Sequence, residues 1–396
     1  MGEMGVKDNQ LPSPPHTGEK VPQADEGGRL AAGTAPHPPS APSPSKRGEG
    51  EVLLVAGGGT GGHIYPAIAI AREFQARDAS RRVVFVGTEY GLEKTIVPKA
   101  GFPLEFISVG GLKGKGPLDL IKNLLRLPVG FFQAWRVVGR HKPSVVLGVG
   151  GYSSGPVLLA AWMRGVPTII HEQNAYPGLA NRSTAKFVKA VAVAFAEAGP
   201  RLERDDAVVT GNPVRKEFFD VTRGPATGSN RVLIFGGSQG SKMLNDAVTR
   251  ALPLLPRDLE IVHQTGPKML DEVRRSYAEF PNARIVAYID PMVDELAAAD
   301  IVISRSGAMT IGELAAVGRA SILIPFAAAA NNHQELNARV MEKAGAAIVI
   351  TEKELTPQAL AEAVARIDPQ KMGAAAKALA EPEATKKIVD TIEKII

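Results

Sequence analysis

The sequence predicts an α/β protein built from two doubly wound parallel sheets facing one cleft. Three observations carry this. From Glu51 onward, short apolar β-branched runs alternate with helical patterns. The alternation restarts at Arg231, about half the chain away from its first strand. Three of the runs break into glycine-rich turns: Gly57–Gly62, Gly148–Gly155 and Gly236–Gly240. A buried strand that ends in glycines and passes into a helix presents backbone N–H groups at a helix N-terminus, which suits an anion and most often a phosphate.

Taken in order, the strands are expected at Val52–Val55, Val83–Val86, Val145–Leu147, Thr168–Ile170, Ala190–Val193 and Ala207–Val209. Helical patterns between them cover Ile64–Arg77, Leu92–Ala100, Leu118–Arg140 and Ser154–Met163, with Pro128 expected to break or kink the third. The second series reads Arg231–Phe235, Glu260–His263, Ala283–Val286, Ile301–Ser304, Ser321–Ile324 and Ala347–Ile350. Asp220–Asn230, with Gly224, Pro225 and Gly228, reads as a linker between the two series. A terminal helix over Glu381–Ile396, with Pro382 in its first turn, is expected to pack back on the first domain. The expected division is a disordered extension over 1–49, a first domain over 50–219 that also takes residues 381–396, and a second over 220–380.

Composition narrows the function classes. At 396 residues the chain has room for two domains, and 44% hydrophobic content allows a sizeable core. The absence of cysteine excludes disulfides and thiolate metal sites and fits a reducing cytoplasm. A net charge of +5 allows an acidic substrate, an anionic membrane or nucleic acid, but aromatic content of 5% without a basic, aromatic sheet motif argues against nucleic acid. The first fifty residues hold nine prolines and few large apolar side chains, so they cannot bury enough surface to offset their ordering entropy. They carry no apolar core of signal-peptide length, and no run of about eighteen apolar residues occurs to span a membrane.

The first turn, Gly57-x-Gly59-x-x-Gly62, formally matches a dinucleotide fingerprint, with Glu89 as a candidate ribose acid. His63 follows the last glycine directly and could set an imidazole beside a reacting hydroxyl, or simply make a local bond at a helix start. No Asp-x-Asp motif occurs, which disfavours metal-chelated sugar-nucleotide binding.

The segments GGGTGGHIYPAIAIA, GVGGYSSGP, HEQNAYPGLANR, TGNPVR, GGSQGS and SRSGAMTIGELAA occur in this order, and over residues 50–396 the chain resembles the bacterial MurG family of N-acetylglucosaminyl transferases. The resemblance implies a GT-B glycosyltransferase with two Rossmann-like domains, acceptor on the first and donor on the second. It implies inverting transfer from UDP-N-acetylglucosamine to the 4-hydroxyl of an undecaprenyl-diphosphate-linked muramyl-pentapeptide. No cofactor or metal is implied, and the expected place is the cytoplasmic face of the bacterial plasma membrane, held peripherally.

Residue by residue, the resemblance puts Ser238 on the donor diphosphate, with Arg215 adding positive charge, and Glu313 on the ribose hydroxyls from what reads as a helix start. Ala308, Met309, Thr310, Ile311 and Gly312 line the donor, Ile289 packs near the uracil, Gln334 binds sugar hydroxyls, and Asn174 reaches the donor sugar across the cleft. Thr60, Gly61 and Gly62 complete the donor set. From residue type and spacing alone, Arg215 reads as an ordinary surface arginine, Glu313 as a carboxylate able to accept ribose hydroxyls or as a dipole-favoured acid, and Asn174 can be a turn residue before Pro177. Two departures stand out: many relatives carry an acid where Asn331 or Asn332 stands, and Ser241 replaces a common alanine.

On the acceptor side, Thr60, His63, Gly150, Gly151 and Tyr152 are implied, with His63 the candidate base. Lys113, Lys115, Lys122, Arg126, Arg136, Arg140 and Lys142 face one acid, Asp119, in a stretch interleaved with Leu125, Phe131, Phe132 and Trp135. That stretch, with Trp162, suits an anionic membrane surface, or an amphipathic helix whose apolar side enters the core. Two rival functions remain at this point: a UDP-sugar epimerase on the same fold, needing no lipid acceptor, and a non-catalytic nucleotide-sugar binder.

Overall fold

The computed structural model describes residues 50–110, 117–221, 230–237 and 239–396, with the side chains of 117–126 and 330 left aside. The extension over 1–49, most of the linker and Ser238 therefore lie outside the described residues.

The first sheet comprises β1 Val52–Ala56, β2 Arg82–Gly87, β3 Leu104–Phe106, β4 Val145–Gly148, β5 Thr168–Glu172, β6 Ala190–Val193 and β7 Val208–Val209. Its spatial order is β3-β2-β1-β4-β5-β6-β7, parallel throughout. The second comprises β8 Arg231–Phe235, β9 Glu260–Gln264, β10 Arg284–Val286, β11 Ile301–Ser304, β12 Ala320–Leu323 and β13 Ala347–Val349. Its order is β10-β9-β8-β11-β12-β13, again parallel.

Strands this apolar arise because both faces are covered. Along β1, Leu53 and Val55 enter one core with the helix Gly61–Arg77, while Leu54 and Ala56 enter another with the helices Pro117–His141 and Ser154–Met163. Along β8, Val232 and Ile234 alternate with Leu233 and Phe235 in the same way.

The structure departs from the sequence reading at three places. Leu104–Phe106 is a strand that periodicity does not signal, because it is three residues long, only partly buried and at the sheet edge. The helix Pro117–His141 runs on through Pro128 without ending there. The terminal helix is Ala384–Glu393, so Pro382 precedes it rather than occupying its first turn, and Glu383 holds the cap position.

That terminal helix packs on the first sheet. Ile388, Val389, Ile392 and Ile395 join the core that holds Leu53 and Val55. Arg77 bonds Asp390 at 2.6 Å and Glu393 at 2.7 Å, and Arg81 bonds Glu393 at 2.7 Å. The chain thus passes between the halves twice, after β7 and before the terminal helix. The two passages touch: a Cβ on Gly211, whose φ is +82°, would lie 2.5 Å from Cβ of Glu381.

Candidate active site

Each sheet reverses winding direction between two neighbouring central strands, β1 and β4 in the first and β8 and β11 in the second. Loops leaving the carboxyl ends of such strands diverge to opposite faces and leave a crevice there. The first and second glycine turns follow β1 and β4, and the third glycine turn and Arg305–Gly307 follow β8 and β11. The three glycine turns and the loop before Ala308 therefore stand at the two crevices, while Asn174, Arg215, Ile289 and Gln334 follow other strands.

The carboxyl ends of the sheets meet. Asn337, fully buried, donates from Nδ2 to Asn174 Oδ1 at 3.1 Å and to the Ser306 carbonyl at 3.2 Å, and accepts from the Ala175 N–H at 2.9 Å. Asn212 Nδ2 likewise donates to the carbonyls of Gln173 at 3.0 Å and Ala308 at 3.3 Å. Asn174 also donates from its amide to Glu172 Oε1 at 3.2 Å, so both ends of its side-chain amide are engaged in bracing the junction.

At the first crevice the two glycine turns are pressed together. A Cβ on Gly151 (φ +86°) would meet the Gly58 carbonyl oxygen at 2.5 Å, so only glycine permits the approach. His63 donates from Nδ1 to the Gly58 carbonyl at 3.0 Å, since a carbonyl can only accept. In the neutral ring Nε2 is then the nitrogen left to accept a proton, 3.2 Å from where a Gly150 Cβ would stand. Tyr152, 55% exposed, and Thr60, exposed, flank this nitrogen's turns, with Gly61 and Gly62 opening the helix. That helix and the one starting at Ser154 have no acid in the first turn and no side-chain cap.

Glu93 is a residue that the motifs do not reveal. Its carboxylate is 1% exposed; Oε2 accepts from the Gly59 N–H at 2.7 Å and Oε1 from the Thr88 N–H and hydroxyl at 2.8 Å each. One donor of the first turn is thereby held by the protein itself. Glu89, the candidate acid of the dinucleotide reading, is instead exposed in the following loop.

At the second crevice the helix Ala308–Val317 starts on Gly307 without a side-chain cap or early acid. Glu313 stands six residues in, in the second turn rather than at the helix start that the sequence suggests. It is half-buried, and that burial pushes its carboxyl up to about 7; Arg215 opposes the rise and Glu217 adds to it. Arg215 is exposed, pairs with Glu217 at 2.8 Å and lies over the Phe218 ring at 4.9 Å. Ala308 and Ile311 are buried, Met309 and Thr310 half-buried. Gly312 is packed so close to Val214 that a Cβ would come within 2.7 Å of its methyl. Ile289 is 6% exposed and belongs to the core with Val214 and Ile311. Gln334 begins the helix His333–Lys343, accepting from the Phe326 N–H at 3.0 Å while its carbonyl takes the Ser306 hydroxyl at 2.8 Å. The two left-handed residues Asn331 and Asn332 turn the chain into that helix, a conformation asparagine tolerates.

Arg305, within the quoted SRSG motif but without an assigned role, is the buried cation of this crevice. It donates to Ser241 Oγ at 3.2 and 2.8 Å and to the Ile324 and Pro325 carbonyls at 3.1 Å, and pairs with Glu352 at 2.7 Å. Burial pulls its pKa down, opposed by Glu352. Ser241 accepts from the Leu244 N–H at 3.4 Å as well, capping the helix Lys242–Ala251.

The expected membrane stretch divides. Lys122, Leu125 and Arg126 have side chains outside the described residues. Phe131 and Trp135 turn inward and pack on the first domain's core, Trp135 under the Arg164 guanidinium at 4.1 Å, which corrects the expectation that they face a bilayer. Phe132 is 64% exposed and Trp162 51% exposed. Among the described residues no helix is long and apolar enough to cross a membrane, and no group of three or more His, Cys, Asp or Glu could hold a metal ion.

Comparison with known proteins adds to this geometry. The glycosyltransferase family 28 N-terminal domain matches residues 53–193, and the C-terminal domain of that family matches residues 231–395. The chain is 45% identical over 349 residues to the UDP-N-acetylglucosamine–N-acetylmuramyl-(pentapeptide) pyrophosphoryl-undecaprenol N-acetylglucosamine transferase of Myxococcus xanthus (strain DK1622), covering 85% of this chain and 91% of that one. It is 42% identical to the protein of that name from Thermoanaerobacter sp. (strain X514), covering 86% and 99%. Among solved structures it is similar to MurG of Acinetobacter baumannii, with a TM-score of 0.75, 30% identity and coverage of 87% and 99%. The UDP-GlcNAc 2-epimerase of Neisseria meningitidis shares the fold alone, at 14% identity and a TM-score of 0.62.

Proposed function

The chain belongs to glycosyltransferase family 28 and to its MurG family, and on that footing we propose that it transfers N-acetylglucosamine from UDP-N-acetylglucosamine to the 4-hydroxyl of an undecaprenyl-diphosphate-linked N-acetylmuramyl-pentapeptide, with inversion. The observation that carries this reading is the pair of anion-suited crevices opening at one junction, with the free Nε2 of His63 in the first.

The acceptor diphosphate binds at the helix N-termini beginning at Gly61 and Ser154, beside Gly150, Gly151 and Tyr152. The Gly59 N–H contributes nothing to it, being held by Glu93. The donor diphosphate lies on the third glycine turn with Ser238, near the helix N-termini at Lys242 and Ala308; Arg215 supplies charge from the rim and Glu313 accepts the ribose hydroxyls. Gln334 and Asn174 meet the sugar once the cleft is filled, Ile289 and Met309 border the base, and Thr60 and Gly62 approach the donor from the opposite wall.

In the reaction the acceptor oxygen forms a bond to the anomeric carbon while the bond to UDP breaks. The hydroxyl proton passes to His63 Nε2, and the electron pair of the broken bond leaves on UDP, where the dipoles of the third turn and Arg215 stabilise it. One displacement inverts the centre, and no step requires a metal. The substrate lipid lies at an anionic membrane surface on the cytoplasmic side, where Phe132 and Trp162 enter the interface and Lys122 and Arg126 meet the headgroups.

Incubation of purified protein with UDP-N-acetylglucosamine and a polyprenyl-diphosphate-muramyl-pentapeptide tests the reading. Disaccharide-lipid and UDP in equal amounts are expected. Sugar epimerisation without acceptor, or binding without turnover, overturns it.

A further inference from the structure

Behind the third glycine turn runs a buried chain of hydrogen bonds with one direction. The Tyr277 hydroxyl meets His263 Nδ1 at 2.9 Å, His263 Nε2 meets Asn245 Oδ1 at 3.1 Å, and Asn245 Nδ2 donates to the Thr265 carbonyl at 2.9 Å. His263 and Asn245 are fully buried, Thr265 is 2% exposed and Tyr277 5%. An amide oxygen can only accept, so His263 carries its proton on Nε2 and takes the tyrosine proton's bond at Nδ1. Burial drives the His263 pKa down to about 3, so the ring stays neutral across physiological pH, and raises that of Tyr277.

The chain ends on the segment that shapes the turn. Thr265 O would lie 2.1 Å from a Cβ on Gly240 (φ +75°), and Gln239 O 2.3 Å from a Cβ on Gly266. Gln264 Nε2 donates to the Gly237 carbonyl at 3.1 Å, so Gln264–Gly266 clasps the turn from one side. Asn245 belongs to the helix that leaves the turn, and His263 and Gln264 to β9 beside it. Without a fixed amide orientation at Asn245, the helix and the clasp lose their common register.

We infer that His263, oriented by Tyr277, is a positioning residue that sets the third glycine turn in shape to receive the diphosphate of a nucleoside diphosphate. The inference rests on the proposed placement of the donor diphosphate at this turn. None of these side chains touches the ligand; they act through the backbone of Gln239 and Gly240.

The test compares UDP with uridine, which shares the nucleoside but lacks the phosphates. Calorimetry on the full chain is expected to show UDP affinity falling about tenfold in Tyr277→Phe, and further in His263→Leu, with uridine affinity within about twofold of wild type. His263→Gln, which keeps one donor and one acceptor in reach, is expected to recover most of the UDP affinity. In turnover, the Tyr277→Phe donor KM rises while kcat changes little. Equal losses for UDP and uridine, or no loss for either at unchanged Tm, overturn the positioning role. If the wild-type protein binds UDP no better than uridine, it is the placement of the diphosphate that fails instead.

Discussion

His63 spends its Nδ1 proton on the carbonyl of Gly58, 3.0 Å away, and so presents a lone pair at Nε2 toward the second glycine turn. The bond ties the ring to the loop on which the acceptor is proposed to sit, so the imidazole and that loop are held together.

His63→Ala is expected to lower kcat by about 10²–10⁴-fold while leaving donor KM within a few-fold, because a base acts in the transition state. Steady-state kinetics with saturating acceptor decides it. A rise in donor KM as large as the loss in kcat would assign the residue to binding.

On the proposed placement of Glu313 at the ribose, nucleoside binding is expected to depend on pH. Its carboxyl titrates near 7, and only the ionised form accepts from both ribose hydroxyls. Uridine affinity, measured because uridine itself does not titrate there, is expected to rise between pH 6 and 8. Glu313→Gln flattens the profile and weakens binding at pH 8 by about 1.5–3 kcal/mol. Glu217→Gln moves the midpoint downward, since Glu217 helps to hold the carboxyl up.

Glu93→Ala leaves the Gly59 and Thr88 N–H groups without their buried acceptor. Each orphaned group costs about 1–3 kcal/mol, and the first turn loses its tether. Urea unfolding monitored by tryptophan fluorescence should show a lowered midpoint. An unchanged midpoint together with full turnover would mean that water replaces the carboxylate.

The aromatic residues of the membrane stretch should behave oppositely. Phe132→Ser, on an exposed site, is expected to weaken flotation with anionic vesicles and to leave Tm unchanged. Trp135→Ala, facing the core, is expected to cost about 3–5 kcal/mol of stability. Charge reversal at Lys122 and Arg126 should release the protein from the vesicles while turnover on a short-chain soluble acceptor survives, each cation contributing about 1 kcal/mol near the surface. Vesicle binding that survives all of these places the membrane contact on another face.

Much of the fold is legible because strands covered on both faces are apolar along their whole length. Ala190–Val193, Arg231–Phe235 and Ile301–Ser304 begin and end where their composition changes. Leu104–Phe106 escapes because an edge strand of three residues, two half-buried and one exposed, leaves no period to detect. The loops of the candidate site are legible through glycine. Their braces are not: Glu93 reads as an ordinary acid at a helix start, and Asn337 as one polar residue on an amphipathic helix. Their importance arises only when Gly59, Thr88, Asn174 and Ser306 are brought to them from distant parts of the chain. Phe131, Phe132 and Trp135 show the converse, since adjacency in sequence says nothing about which side of a helix each ring takes.

Gly211 and Glu381 lie where the two passages of the chain rub against each other. Two strands that cross a gap far apart would act as guy-ropes and hold the halves rigid. Crossing side by side, they form a narrow waist, and a change of angle there works against the Asn337 and Asn212 bonds across the junction. The waist lines one cavity with Ile311 and Gly312, so the angle of the cleft and the proposed donor wall are set together. Gly211→Ala, by wedging the passages apart, is expected to change that angle without removing any ligand-facing side chain.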